Sequence, residues 1–362
     1  MNLTPKLKRA TLVIVQIAVS VLLLYLLFRD VELAQAQQIL ANTNLPLLGV
    51  STTFFVLSSF AIGLALHSAL KAADAEPPFG TTMLANFGGQ LLSDVTPAKS
   101  GYFATPVLLN QLKAVPIEKG LMSVMAVGAG NFFVKAIIST TALVYFIYRI
   151  PSDIMSPTVT NALIGGIAIL VACGVGLAVL VWTNYFSGLL QKLCKLPLIG
   201  RVVKKLEEIR ALFSKDKAAL RKSIATIVVS VLGSVLFSGI SLYLLAQAIG
   251  MTEPTFTDLL FMGPLTAVFM YVPLTFAGLG LQEAAYAFLL TGISSTPEAI
   301  LPFAVTFAML VRLIAVTTDL VGLPPLLKTS TGLLGLIQKK TSQSCPQPPS
   351  EKDKLHKTNG SG

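Results

Sequence analysis

The sequence predicts an all-α polytopic membrane protein with about six full transmembrane helices and two broken or re-entrant elements. Of its 362 residues, 54% are hydrophobic and 12% are charged, whereas a soluble domain carries about 25% charged residues. The mean hydropathy is +0.75, and long runs without charge alternate with short basic stretches. This composition excludes a soluble globular protein.

Six stretches are apolar enough to cross a membrane, since a spanning helix needs about 20 mainly apolar residues. They are Ala10–Phe28, Leu45–Leu70, Gly120–Tyr148, Asn161–Trp182, Ile224–Ile249 and Ala299–Pro324. The runs Gly80–Phe103 and Phe256–Ile293 are also apolar, but they contain prolines that should break a continuous helix. Pro97, Pro264 and Pro273 lie within these runs, and Pro106 directly follows the first. Both runs are therefore predicted to be re-entrant or broken, with their irregular backbone shielded from lipid.

Lysine and arginine give the orientation of the spans. They cluster before the first span, in the loop 183–223 and after Pro325, whereas the loops between the first two spans and between the third and fourth hold one each, Arg29 and Arg149. The net charge of +10 follows this pattern, which indicates a cytoplasmic surface and no nucleic-acid partner. We therefore expect a multi-pass protein of the cell inner membrane with both termini in the cytoplasm. Residues 1–336 form one integral membrane domain, and 337–362 form a disordered cytoplasmic tail.

The two broken runs belong to matching units. FVKAIISTTALV (133–144) and LVRLIAVTTDLV (310–321) share a cation followed by a pair of threonines. Counting spans places the broken runs on opposite sides of the membrane. Units of about 79–148 and 256–324 therefore form an inverted-topology repeat, which points to a transporter-type site between them.

Charged residues inside these apolar stretches are the candidate functional groups, because an intramembrane charge costs about 2.5 to more than 10 kcal/mol. Lys99, Lys135 and Arg312 are predicted to attract an anionic headgroup. Asp94, Glu283 and Asp319 are predicted to hold or gate these cations. The alternative stays open that Lys135 and Arg312 pair with carboxylates of the opposite repeat only to hold helices together.

Two further patterns surround these charges. Pro97, Gly101, Pro273, Gly278 and Gly280 form turns that would expose backbone N–H groups just before a helix restarts, where an anion binds. Residues Gly128, Asn131, Lys135 and Ser139 recur at helical spacing, so they form a polar stripe that should face the protein interior. We identify no catalytic or metal-binding set, and therefore expect no enzyme and no cofactor.

At these residues the chain resembles the lysylphosphatidylglycerol synthase transmembrane family, the flippase-like membrane half of MprF-type proteins. The resemblance covers roughly Leu12 to Leu326. It is carried by Pro97, Lys99, Gly101 and Lys135, by the element PxxxxGLGxxE from Pro273 to Glu283, and by Arg312. It implies lipid translocation between leaflets, in MprF of an aminoacylated phosphatidylglycerol. Only a short polar tail follows the last span, so we expect no aminoacyl-transferase domain and no synthase activity.

The sequence favours translocation of an anionic phospholipid or lipid-linked intermediate. Its partners are then membrane phospholipids and their anionic headgroups, and assembly with further copies of the chain stays open. Two other functions remain: a small-anion or proton-coupled solute transporter, and a non-transporting membrane scaffold for lipid enzymes.

Overall fold

The computed structural model describes residues 5–29, 31–182, 217–272 and 274–327. Within these ranges it contains helices and no strand, which confirms the predicted all-α class. The α-helices are α1 (Pro5–Arg29), α2 (Leu33–Ala41), α3 (Leu45–Ala72), α4 (Phe79–Asp94), α5 (Thr105–Lys113), α6 (Ile117–Arg149), α7 (Pro157–Trp182), α8 (Lys217–Ala248), α9 (Phe256–Ala267), α10 (Leu281–Ile293) and α11 (Pro297–Asp319). The predicted tail, Pro273 and most of the predicted loop 183–223 lie outside the described residues.

Five of these helices are long and apolar enough to cross a membrane: α3, α6, α7, α8 and α11 with the turn that follows it. A sixth span is present if α1 and α2, which meet at an angle of 83°, count as one. These helices match the six predicted stretches, and the predicted polytopic membrane architecture is confirmed.

Each predicted broken run is divided into two shorter helices. In the first, α4 ends at Asp94 and a 3-10 turn (Pro97–Ala104) leads into α5. In the second, α9 is followed by 3-10 turns at Val268–Tyr271 and Phe276–Gly278 before α10 begins. We call these turns the first break and the second break. A long helix follows each element, α6 in one half and α11 in the other, so both halves show the same order of elements.

Two of the four prolines that were expected to break a helix behave differently. Pro106 lies in the first turn of α5, where the missing N–H has no intrahelical partner to lose. Pro264 lies inside α9, which continues to Ala267, so the expectation that it breaks the helix is wrong. Pro264 is buried against neighbouring elements. In a membrane helix, such neighbours can compensate for the backbone hydrogen bond that a proline removes.

The two halves meet along α3 and α8, the most extensive helix pair of the described chain. The Asn44 N–H donates to the Ala248 carbonyl at 2.8 Å. The hydroxyl groups of Ser51 and Ser241 are 3.2 Å apart, and those of Ser58 and Ser234 are 2.8 Å apart. Along α3 these contacts recur every seven residues, while along α8 they recur in reverse order, so the two helices are antiparallel. Small polar residues allow this close approach.

The core consists of two apolar clusters. One is formed mainly by α10 and α11, and the other mainly by α3 and α6. Helix α6 passes from one cluster to the other: Val134 packs in the second cluster and Ala136 in the first. Lys135 lies between them in the sequence, so the only charged residue in the middle of α6 is placed where the two cores separate.

Candidate functional site

A cavity of about 260 Å³ lies between the two halves of the described structure. Its walls come from both breaks and from the helices α3, α4, α6, α7, α8, α9, α10 and α11. The polar stripe predicted on α6 faces it through Gly128, Asn131 and Lys135, while Ser139 is buried. The structure also brings together the following charged residues, predicted from opposite repeats: Asp94, Lys99, Lys135, Arg312 and Asp319.

Lys99 is held at the cavity by the geometry of the first break. Its backbone lies in the left-handed region, with φ of 55°, and so does that of Ala98, with φ of 51°. The ammonium group of Lys99 donates to Asp94 Oδ1 at 2.9 Å. Gly101 allows this turn because a Cβ at that position would overlap the Leu92 carbonyl group. The first break thus aims one cation into the cavity and pairs it with one carboxylate.

Arg312 is bound by three acceptors in the second break and the first turn of α10. Its Nε donates to Glu283 Oε1 at 2.7 Å, and its other nitrogens donate to Gln282 Oε1 at 3.3 Å and to the Ala277 carbonyl at 3.4 Å. The second oxygen of Glu283 accepts the N–H of Gly280 at 2.7 Å. Glu283 is therefore the buried centre of a network that joins α11 to the start of α10.

Lys135 has no such partner. Within the part of the chain that the structure describes, no acceptor lies within hydrogen-bonding distance of its ammonium group and no carboxylate forms an ion pair with it. The side chain is partly buried and lines the cavity together with Lys99, which carries the same charge. A lone cation at membrane depth is costly, so Lys135 is the group of the cavity that most needs an anion.

Asp94 and Asp319 meet across the two halves. Helix α4 packs on the 3-10 turn after α11 (Leu320–Gly322), where a Cβ on Gly322 would overlap the backbone of Gly88. This close approach places Asp94, the last residue of α4, and Asp319, the last residue of α11, in the wall of the same cavity. Asp94 accepts a hydrogen bond from Lys99 with one oxygen, while its other oxygen is buried without a hydrogen-bond partner among the described residues.

Two expectations from the sequence are corrected by these contacts. Arg312 pairs with Glu283 of its own half, and Lys135 pairs with no carboxylate in the described residues, so the interpretation that both pair with the opposite repeat is wrong. The N–H groups of Gly101 and Gly280 are not exposed to an anion, because they donate to Thr96 Oγ1 at 2.7 Å and to Glu283. Both glycines shape their turns; Gly280 has a φ of 85°. Of the other turn residues, Pro97 begins the first break, and Gly278 ends the second with a φ of 75°.

Sequence reasoning missed the tyrosines and the glutamine of the cavity. Tyr102 donates to Asn86 Oδ1 at 2.8 Å, and Tyr271 stacks edge-on against Phe132 with ring centroids 4.8 Å apart. Tyr286 and Gln282 line the wall of the second half. A signal was available, because Tyr102 and Tyr271 both lie in the breaks, at the places where each half opens its backbone to the cavity.

Comparison with protein families agrees with this architecture. The family model of the lysylphosphatidylglycerol synthase transmembrane region matches residues 13–318. The chain belongs to this family. The match covers both broken elements and every charged residue of the cavity except Asp319, which follows its last residue directly. No curated protein matches the chain at a significant level.

Membership of the lysylphosphatidylglycerol synthase transmembrane family and the five or six apolar spans together make this chain a multi-pass membrane protein. The family connects it with the handling of lipids.

Proposed function

We propose that the protein moves an anionic phospholipid or lipid-linked intermediate between membrane leaflets, with the headgroup bound at Lys135. The single observation that carries this proposal is an unpaired cation in a cavity between two halves whose other cations are paired. A phosphate group would supply the missing negative charge and accept hydrogen bonds from the ammonium group.

The size of the cavity supports a headgroup as the bound part of the lipid. About 260 Å³ lies just below the volumes of about 300–1,000 Å³ that are usual for sites of drug-sized ligands. It therefore suits a phosphate-bearing headgroup, while two acyl chains would have to remain in the surrounding bilayer. Membrane phospholipids are accordingly the proposed partners. The function that we propose is transport and not catalysis.

An inverted repeat would give such a site access to both leaflets. The halves share one order of elements, and the long helices that precede their broken elements, α3 and α8, are antiparallel. We propose that the two broken elements enter the membrane from opposite sides and return to the side from which they came. Both termini then lie on the cytoplasmic side of the inner membrane. Rocking of one half against the other would then expose the cavity to each leaflet in turn.

Exchange of fluorescent lipids in reconstituted vesicles tests this function. Lys135→Met removes the charge, and since the ammonium group has no partner, the variant should fold at least as stably as the native chain. We expect the exchange rate to fall by about tenfold or more, which corresponds to a loss of about 1.4 kcal/mol in headgroup binding. Lys135→Arg should retain part of the rate, and the exposed control Lys113→Met should retain all of it.

Two outcomes would contradict the proposal. An unchanged rate of lipid exchange in Lys135→Met would show that Lys135 does not bind the headgroup. Uptake of free phosphate by vesicles that exchange no lipid would instead favour a small-anion transporter.

A further inference from the structure

Asp94 and Asp319 line the same cavity, and each has a buried carboxylate oxygen without a hydrogen-bond donor among the described residues. Their side chains are almost fully buried, with 3% exposed in Asp94 and 5% of the residue exposed in Asp319. Asp94 Oδ2 and Asp319 Oδ1 have no hydrogen-bond donor among the described residues. The hydroxyl groups of Ser93 and Thr318, which adjoin the two carboxyl groups in the sequence, are likewise buried without a partner, and Ser93 lines the cavity.

Two facing carboxylates are unfavourable in such surroundings. Like charges repel strongly where water is excluded, and each buried acceptor without a donor costs about 1–3 kcal/mol. Lys99 relieves only part of this cost, because its ammonium group bonds the opposite oxygen of Asp94. One proton removes both problems: it cancels one negative charge, and it lets one carboxyl group donate to the other.

Several titratable groups line the cavity together with the pair. Among the described residues they are Lys99 and Tyr102 of the first break, Lys135 of α6, Tyr271 of the second break, Tyr286 of α10 and Arg312 of α11. A sodium ion would also find oxygen ligands here, but the adjacent ammonium group of Lys99 disfavours a second full cation. The arrangement therefore fits a proton better than a metal ion.

We propose that Asp94 and Asp319 together bind one exchangeable proton that crosses the membrane with the anionic headgroup. This inference rests on the proposed lipid translocation. A carboxylate of the pair takes a proton from water on the side to which the cavity is open, and returns it to water on the other side. One proton and one singly charged headgroup then cross together, so no net charge moves.

The direction of coupling follows from electrostatics. Proton binding removes a negative charge from the cavity, so it strengthens binding of an anion at Lys135. By reciprocity, a bound anion strengthens proton binding by the same factor. Protons and lipid should therefore move in the same direction.

Infrared difference spectroscopy of the full chain in lipid vesicles tests the proton site without any transport. The C=O stretch of a protonated carboxylic acid should be present at neutral pH and disappear as the pH rises. Asp94→Asn and Asp319→Asn should each remove this signal, while the exposed control Asp153→Asn should retain it. The proposal is overturned if the native chain lacks the signal at every pH, or if both cavity variants keep it.

A transport measurement tests the coupling. Vesicles carry a difference of one pH unit while potassium and valinomycin clamp the membrane potential. In the native chain, labelled anionic lipid should accumulate in the leaflet on the alkaline side, by up to about tenfold for one proton per lipid. Asp319→Asn should abolish this accumulation.

The two proposals fail in different ways. Lipid exchange that ignores the pH difference, or follows a sodium gradient instead, overturns proton coupling and leaves lipid translocation standing. Absence of lipid exchange in the native chain under every condition overturns translocation, and the infrared result then decides the proton site alone.

Discussion

The two breaks have the same position in their halves but very different bonding. In the second break, Arg312 has three acceptors and both oxygens of Glu283 are used. In the first break, Lys99 makes one bond and Asp94 keeps an oxygen without a donor in the described chain. We infer from this difference that the second break is a fixed frame, that is, a turn whose charged groups are all used to hold the structure. The first break, together with Lys135, holds the groups that are available for a ligand and for a proton.

Removal of Arg312 should give the largest loss of stability. Arg312→Met leaves Glu283 buried without its cation, which should lower the free energy of unfolding by about 3–5 kcal/mol. Thermal and denaturant unfolding in detergent would measure the change. The double variant Arg312→Met/Glu283→Gln serves as control and should recover much of the loss. A single variant as stable as the native chain would contradict the view that the second break is a fixed frame.

Removal of Lys99 should cost less. A bond to a charged group contributes about 1.5–3 kcal/mol, and in Lys99→Met the Asp94 carboxylate, which lines the cavity, can take up a proton in place of its lost cation. We expect a loss toward the lower end of this range that becomes smaller at acidic pH, since protonated Asp94 no longer needs its cation. Unfolding measured across pH would test this. A loss equal to that of Arg312→Met at every pH would remove the contrast between the breaks.

A side chain at Gly101, the glycine of the first break, should lower the stability of the protein by displacing the backbone. Gly101→Ala would force apart the turn and the end of α4, with a cost of about 1–3 kcal/mol for the strained backbone. Gly80→Ala on α4 is the matched control, because nothing lies within 4 Å of a Cβ built there. It should be neutral or stabilising by up to about 1 kcal/mol. Equal unfolding midpoints for the two variants would show that the turn tolerates a side chain.

The serine contacts between the halves should have the smallest effect. Ser58→Ala removes the hydrogen bonds to Ser234, and interhelical bonds of this kind contribute about 0.6 kcal/mol on average. Thr53→Val is a suitable control, since its hydroxyl group bonds only within α3, to the Gly49 carbonyl. A loss several times larger would mean that α3 and α8 depend on these serines more than on their apolar packing.

Much of this architecture could be predicted from the sequence, because apolar length and proline position act locally. The spans, the break at Pro97 and the meeting of Lys99, Lys135 and Arg312 in one region follow from such patterns. Pro264 shows the limit: its effect on α9 depends on packing against neighbours that the sequence does not reveal.

The pairing of charges could not be predicted for a different reason. Which carboxylate reaches Arg312 depends on how α10 and α11 turn toward each other, and the contact joins residues 29 positions apart. The approach of Asp94 to Asp319 likewise depends on Gly88 and Gly322, whose backbones meet across the two halves. These distances arise from tertiary packing, and no periodicity in the chain encodes them.

The central claim is that Lys135 is the cation that holds an anionic headgroup, and native mass spectrometry of the purified protein tests it most directly. The native chain should retain an anionic phospholipid after mild delipidation. Lys135→Met should lose this lipid, while Lys113→Met retains it. Equal retention of anionic lipid by the native chain and Lys135→Met would contradict the claim.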